Sequence, residues 1–156
     1  LLNLGRIFQI ENRAKKLVDG YKSDLKKFTE KLETISPKKV FVYDSGEDTP
    51  FTAGRFAMPN ALIEAAGGIN IMDDFQKSWG TVTWEEVIDR NPEIVVIVNY
   101  GKVTAEQKRK FMMSNPAFAN IDADKNNRFV TLEYVEATPG PRNTKAIKKL
   151  AKAFRN

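Results

Sequence analysis

Five consecutive aliphatic residues, Ile94-Val-Val-Ile-Val98, constrain the architecture of this chain more than any other feature. A strand with one wet face alternates apolar and polar side chains. A run that is apolar at every position must be covered on both faces, as in a parallel strand held between layers of helix. The flanking segments fit that arrangement. Lys39-Val-Phe-Val-Tyr43 is a β-rich run, Ile69-Asn-Ile71 a short second strand, and Arg128-Phe-Val-Thr-Leu132 the last. Between them the period changes to that of helices. One covers residues 58–66 and stops at Gly67-Gly68. Another covers residues 84–90, with Thr83 as cap and Glu86 completing a capping box. A third runs from the Thr104 cap to about residue 113. Pro141 opens a final helix that buries Ile147, Leu150, Ala151 and Phe154 and exposes its lysines. Strand–helix alternation over residues 37–156 predicts a three-layer α/β lobe with a small, mainly parallel sheet.

Residues 1–36 follow a different rule. From Arg6 to Ile35 the apolar residues Ile10, Ala14, Leu17, Val18, Tyr21, Leu25, Phe28, Leu32 and Ile35 recur in steps of three and four. One long helix of roughly 45 Å is expected there. The steps also fit a coiled-coil heptad, but the stripe ends at Ser36-Pro37, where the α/β pattern starts, which favours a helix packed across one or two domains. The chain opens Leu-Leu-Asn-Leu-Gly, with no initiator Met and no basic stretch before an apolar core, as expected of a piece of a longer protein and not of a signal peptide.

The chain has 156 residues, enough for one domain with a hydrophobic core, and no apolar run approaches the roughly 20 residues of a membrane-spanning helix. It contains no Cys and no His. Thiol chemistry, Ser–His triads, imidazole acid–base catalysis and the common zinc and haem ligand sets are therefore closed to it. Neither a Walker loop nor a Gly-x-Gly-x-x-Gly follows a strand. No catalytic residue, resident metal or cofactor is expected. The net charge of +5 is divided as +3 over residues 1–36 and +2 over the rest, and the one strongly basic segment is the last helix, with Arg142, Lys145, Lys148, Lys149, Lys152 and Arg155. Cations near a helix C-terminus and the lack of interleaved aromatics make this a solvated face and not a nucleic-acid footprint. Asp122, Asp124, Asn126 and Glu133 occupy positions 1, 3, 5 and 12 of a calcium-type loop. Position 6 is Asn127 instead of Gly, so a polar turn entering a strand is the first reading and a calcium-binding domain the alternative.

In open α/β sheets, ligands sit at the carboxyl ends of the strands. Three loops qualify: residues 44–55, 99–103 and 133–142. They carry Phe51, Arg55, Tyr100, Tyr134 and Arg142, and Trp79 precedes the second helix. Aromatics with arginines suit a flat or anionic organic ligand; each aromatic could equally seal the core. For Arg142 a structural tie at the last helix is favoured over ligand contact.

Four motifs in order carry a resemblance: Leu62-Ile-Glu-Ala-Ala-Gly67-Gly68-Ile-Asn70, Trp79-Gly-Thr-Val82-Thr83-Trp-Glu85, Asn91-Pro92-Glu-Ile-Val-Val-Ile, and Gly140-Pro141-Arg142. Together they resemble the C-terminal lobe of cluster-A-type solute-binding proteins, which serve ABC importers of ferric siderophores, haem and cobalamin. The resemblance implies that residues 1–36 form the rigid helix joining two lobes, with the N-terminal lobe as a missing partner. It implies a metal-chelate or corrin-like ligand and an ABC permease as partners. It also implies an extracytoplasmic protein, periplasmic or lipid-anchored on the outer face of the cytoplasmic membrane. By position, Trp79 corresponds to an aromatic facing the ligand, Arg55 to an anion-contacting arginine, Tyr134 to a tyrosine touching ligand or iron, and Glu85 to the carboxylate that docks on the permease. A sensor or adhesion module built on the same lobe is the alternative of another class.

Overall fold

In the computed structural model, residues 1–29 and 36–155 are described. The chain divides into two units, Leu1–Thr34 and Ile35–Asn156.

The first unit holds helices α1 (Leu2–Ile7) and α2 (Glu11–Thr29). The helix expected from Arg6 thus begins at Glu11, because the chain breaks in between. Gln9 takes a left-handed conformation (φ 56°). Its N–H reaches the Arg6 carbonyl at 3.2 Å while the Ile10 N–H reaches that of Gly5 at 2.8 Å. This is the hydrogen-bond pair that closes a helix at a left-handed residue, here with Gln in place of the usual Gly. The turn brings α1 against α2 so closely that a Cβ on Gly5 would stand 2.4 Å from the Ala14 Cβ. Along α2, Ala14 is buried and Val18, Tyr21 and Leu25 are half-buried, whereas Leu17, and Ile10 just before the helix, stay exposed. Leu32 and Ile35 of the expected stripe lie outside the described residues.

The second unit is built on a parallel sheet in the order β3-β1-β5-β6, with β1 Lys38–Tyr43, β3 Gly68–Asn70, β5 Ile94–Asn99 and β6 Phe129–Glu133. The register pairs Val40 with Ile94 and Tyr43 with Ile97, and Val95 with Phe129 through Asn99 with Glu133. Helix α3 (Met58–Ala65) leads into β3, α4 (Trp84–Arg90) into β5, and α5 (Ala105–Ser114) follows it. A 3-10 turn (Pro116–Phe118) and α6 (Asp122–Lys125) precede β6, and α7 (Tyr134–Ala137) and α8 (Asn143–Ala153) end the chain.

Strand alternation divides the core between two layers. Phe41, Tyr43, Val95 and Ile97 join Trp84, Val87, Met112, Phe118 and Ile121 on the side of α4 and α5. Val40, Val42, Ile94, Val96 and Val98, equally buried, turn to the opposite layer, where α3 packs on α8 and β3. There Gly68 is small for a reason: a Cβ would come within 2.7 Å of the Phe154 ring. This is the α/β lobe with a mainly parallel sheet that the sequence predicts.

Two local expectations shift. Thr83 caps α4 by accepting the Glu86 N–H at 3.2 Å, but the capping box is only half made. The Glu86 carboxylate pairs instead with Arg90 at 2.6 Å, and Arg90 also grips Asp74 through both of its nitrogens (2.6 and 3.0 Å) and donates to the Ile71 carbonyl. A complete box forms at α5, between Thr104 and Gln107. The last helix starts at Asn143, two residues beyond Pro141, where Asn143 Oδ1 accepts the Gly140 N–H at 2.7 Å.

The calcium alternative fails on geometry. Residues 122–125 wind a helical turn, and Asp122 is held by Asn91 just before β5 (3.1 Å to its carboxylate, 2.9 Å to its N–H). Glu133 is held by Asn99 at the other end of the same strand (3.0 Å). Six strand residues, about 20 Å, separate the first and last oxygen donors.

Candidate functional site

The strand order creates the site. From β1 the chain moves outward through α3 to β3, then returns across α4 to β5 on the other side of β1. Loops leaving β1 and β5 therefore diverge, and a crevice opens between them at the carboxyl edge of the sheet. Asp44 follows β1 and Tyr100 follows β5, one on each side of that switch point.

Two short strands unread in the sequence frame one side. Strand β2 (Phe51–Ala53) pairs antiparallel with β4 (Trp79–Thr81), Phe51 opposite Thr81 and Ala53 opposite Trp79. Phe51 and Trp79 are thus diagonal neighbours on one face, and their rings stack at 5.9 Å with planes 10° apart. Gly80 between them has no room for a side chain, since the Phe75 ring would lie 2.7 Å from its Cβ. The Ser45–Phe51 bridge and Thr52 Oγ1, donating to the Val42 carbonyl at 2.6 Å, tie this ribbon to the end of β1.

Tyr100 and Tyr134 frame the other side, stacked on each other at 4.6 Å. The backbone of each is pinned from below. Lys108, buried on α5, donates from Nζ to the carbonyls of Val98 (2.7 Å) and Tyr100 (3.0 Å). Tyr134 opens α7 behind a reciprocal cap, with Glu136 accepting the Glu133 N–H at 3.0 Å. Asn143 fastens the loop that follows through the carbonyls of Glu136 and Thr138.

These four aromatics line one open cleft of about 420 Å³. Phe56, Met58, Thr138 and Pro139 complete much of its apolar surface, and Asp44 lies in its wall. The reading that each aromatic seals the core does not hold for the tyrosines, Tyr100 being 54% and Tyr134 49% exposed, while Phe51 and Trp79 are half-buried. The residue that does seal the core is the second tryptophan. Trp84 is 9% exposed, packs on Phe41, Tyr43, Phe111 and Phe118, and donates from Nε1 to the Glu47 carbonyl at 2.6 Å.

The arginines expected beside the aromatics do not line this cleft. Arg55 is exposed and its Nη1 reaches the Asp73 carbonyl at 3.4 Å. Arg142 is exposed at the start of α8. Glu85 is exposed in the first turn of α4, apart from the cleft lining.

Two residues of the site were passed over in the sequence. Asp44 is 8% exposed; burial raises its carboxyl pKa above the ordinary value, partly offset by the Ser45 hydroxyl on Oδ2 (3.0 Å) and the nearby Lys108 charge. Burial pushes the Lys108 ammonium the other way, below its ordinary value, with Asp44 opposing. The signal for Lys108 was its spacing: it stands three residues after Ala105 and four before the buried Met112, on the inward stripe of α5. Tyr43, whose phenol donates to the Gly46 carbonyl at 3.3 Å, is held neutral by burial, its pKa raised to about 12.

Residues 1–135 match the family model described as periplasmic binding protein. The chain belongs to that family. It is 29% identical over 155 residues to the uncharacterised ABC transporter substrate-binding lipoprotein YvrC of Bacillus subtilis, covering 97% of this chain and 47% of that one. Among solved structures, a periplasmic binding protein from Veillonella parvula superposes with a TM-score of 0.90 at 31% identity, covering 97% of this chain and 53% of that one. A protein from Staphylococcus epidermidis, described as a possible iron-binding periplasmic solute-binding protein, superposes with a TM-score of 0.85 at 28% identity, over 99% of this chain and 60% of that one. This chain therefore spans about half the length of the relatives it matches. Among the described residues, no helix is long and apolar enough to cross a membrane.

Proposed function

We propose that this chain is the C-terminal lobe of the substrate-binding component of an ABC importer, presenting one wall of a cleft that captures a metal-chelate or corrin-like ligand outside the cytoplasmic membrane. The observation that carries the reading is the convergence of Phe51, Trp79, Tyr100 and Tyr134 on one open cleft at the topological switch of the sheet. Four aromatic faces give large contact area at low conformational cost, which suits a flat or bulky ligand closed over by a second lobe. The half-length match to the relatives fits a second lobe elsewhere in the protein, with helices α1 and α2 belonging to the segment that connects the two. The iron-binding description of the Staphylococcus epidermidis relative favours an iron chelate within that ligand class. Capture needs no bond-making: aromatic surface is desolvated and the loaded protein is passed to the permease. Glu85, exposed and at a helix start, is the docking carboxylate in this scheme.

The test is a fluorescence titration of the full-length protein with ferric siderophores, haem and cobalamin. Saturable quenching by at least one of them at micromolar concentration or below is expected. The absence of saturable quenching by all three classes refutes the assignment of ligand class.

A further inference from the structure

The charge of the cleft wall points further than its shape. Among the described residues, Asp44 is the one carboxylate in the lining of this cleft and no lysine or arginine lines it; Lys102 and Lys108 line a separate cavity that Asp44 and Tyr100 also border. Asp44 is more than nine-tenths buried, at the switch point between β1 and β5, and lines the same cleft as the two stacked aromatic pairs. The Ser45 hydroxyl occupies Oδ2, and among the described residues no donor reaches Oδ1. The nearest balancing charge, Lys108, is turned inward to the Val98 and Tyr100 carbonyls, so it fixes the loop and does not offer itself to a ligand in the aromatic cleft. A cleft lined by four aromatic rings and a buried carboxylate favours a positive group twice over, through the ring quadrupoles and through the charge-assisted hydrogen bond the carboxylate can accept. The same wall opposes a ligand that brings carboxylates of its own.

We infer that Asp44 determines specificity in this cleft, selecting a chelate that carries a cationic nitrogen, such as a protonated amine, over neutral and anionic chelates. This rests on the cleft being the ligand site, as proposed above. It differs from the expectation of an anionic ligand held by arginines, because the arginines do not line the cleft.

A matched pair of probes isolates the charge. Ferrioxamine B is an iron trihydroxamate with a free ammonium, and its N-acetylated form has the same iron centre without that charge. Haem, with two propionates, supplies the anion. Titrated into the full-length protein, ferrioxamine B should bind about tenfold or more tighter than its acetylated form, the scale of one hydrogen bond to a charged group. Asp44→Asn, which keeps the size and the Ser45 contact, should remove that ratio by weakening ferrioxamine B alone. The wild-type ratio is a second measurement that does not depend on the variant. Equal affinities in the wild type, a ratio that survives Asp44→Asn, or haem binding tighter than both overturn the inference while leaving a chelate-binding cleft intact. Failure of both ferrioxamines to bind sinks the inference; only failure of haem and cobalamin as well sinks the proposed function.

Discussion

The chain has two tryptophans, and the structure assigns them opposite jobs, so one pair of conservative substitutions tests both the core and the site. Trp84 sits among four rings with its indole N–H on the Glu47 carbonyl. Trp84→Phe leaves that carbonyl without its donor, costing about 1 kcal/mol, and leaves a void where the second ring was, costing about another. The expected loss is about 2 kcal/mol. Trp79 is half-buried and stacked flat on Phe51. A phenylalanine there keeps a ring against Phe51, and among the described residues the indole N–H has no partner to lose, so Trp79→Phe should cost less than about 1 kcal/mol. Thermal melts of the two full-length variants should rank Trp84→Phe below Trp79→Phe. The optical readout runs the other way: ligand quenching should be unchanged in Trp84→Phe, which retains Trp79 as a reporter in the cleft, and weaker than wild type in Trp79→Phe. A Trp79→Phe protein that melts lower than Trp84→Phe, or whose quenching equals wild type, would refute this division.

Two further outcomes follow from charges. Glu85→Arg should leave ligand affinity within about twofold of wild type, because the residue is exposed and lies off the cleft, yet slow uptake through the reconstituted importer at low salt; transport equal to wild type there removes the docking role. Asp44→Asn should raise the melting temperature of the ligand-free protein at neutral pH, since the folded carboxyl has a pKa above its unfolded value. A raised carboxyl pKa means the folded state holds its proton more tightly, so the charged form is penalised at neutral pH. The penalty fades as pH falls from the folded pKa toward the unfolded value of about 3.9, and the variant's advantage should fade with it. A variant less stable than wild type at pH 7 would show that Asp44 is a net stabilising charge.

Much of the fold was legible because its signals are local. The aliphatic run of β5 is apolar at every position since both layers cover it, and Thr83, Thr104 and the glycines after α3 mark helix ends by their own chemistry. What escaped were features whose cause lies far along the chain. Strands β2 and β4 have three residues each, too short for a period, and exist because residues 51–53 and 79–81 find each other. The break before α2 uses Gln9 where a glycine would have announced it; the deciding fact is the Gly5–Ala14 approach, which only the folded pair of helices reveals. Glu86 completes no capping box because Arg90, one helical turn on, offers it a charge instead of a backbone N–H.

The site divides along the same line. That the aromatics lie in loops at strand ends is a statement about position, and position follows from the alternation of elements. Where each side chain points is a statement about neighbours. Arg55 is two residues past Ala53, the end of β2, yet it reaches the Asp73 carbonyl because the chain turns from Gly54 to Ala57 (3.1 Å between the Gly54 carbonyl and the Ala57 N–H). Gly54 packs where a side chain would strike the Phe75 and Lys77 carbonyls at 2.6 and 2.5 Å. Asp44 looks in sequence like the first residue of a polar loop, and becomes a wall of the cleft because β2 folds back over the end of β1, with the Asp44 N–H on the Phe51 carbonyl at 3.1 Å. The switch between β1 and β5 brings these pieces together. It draws residues from 44 to 134 to one edge of the sheet, and the charge it gathers there, among the described residues one carboxylate and no arginine in the cleft lining, is set by the return of the chain and not by any motif.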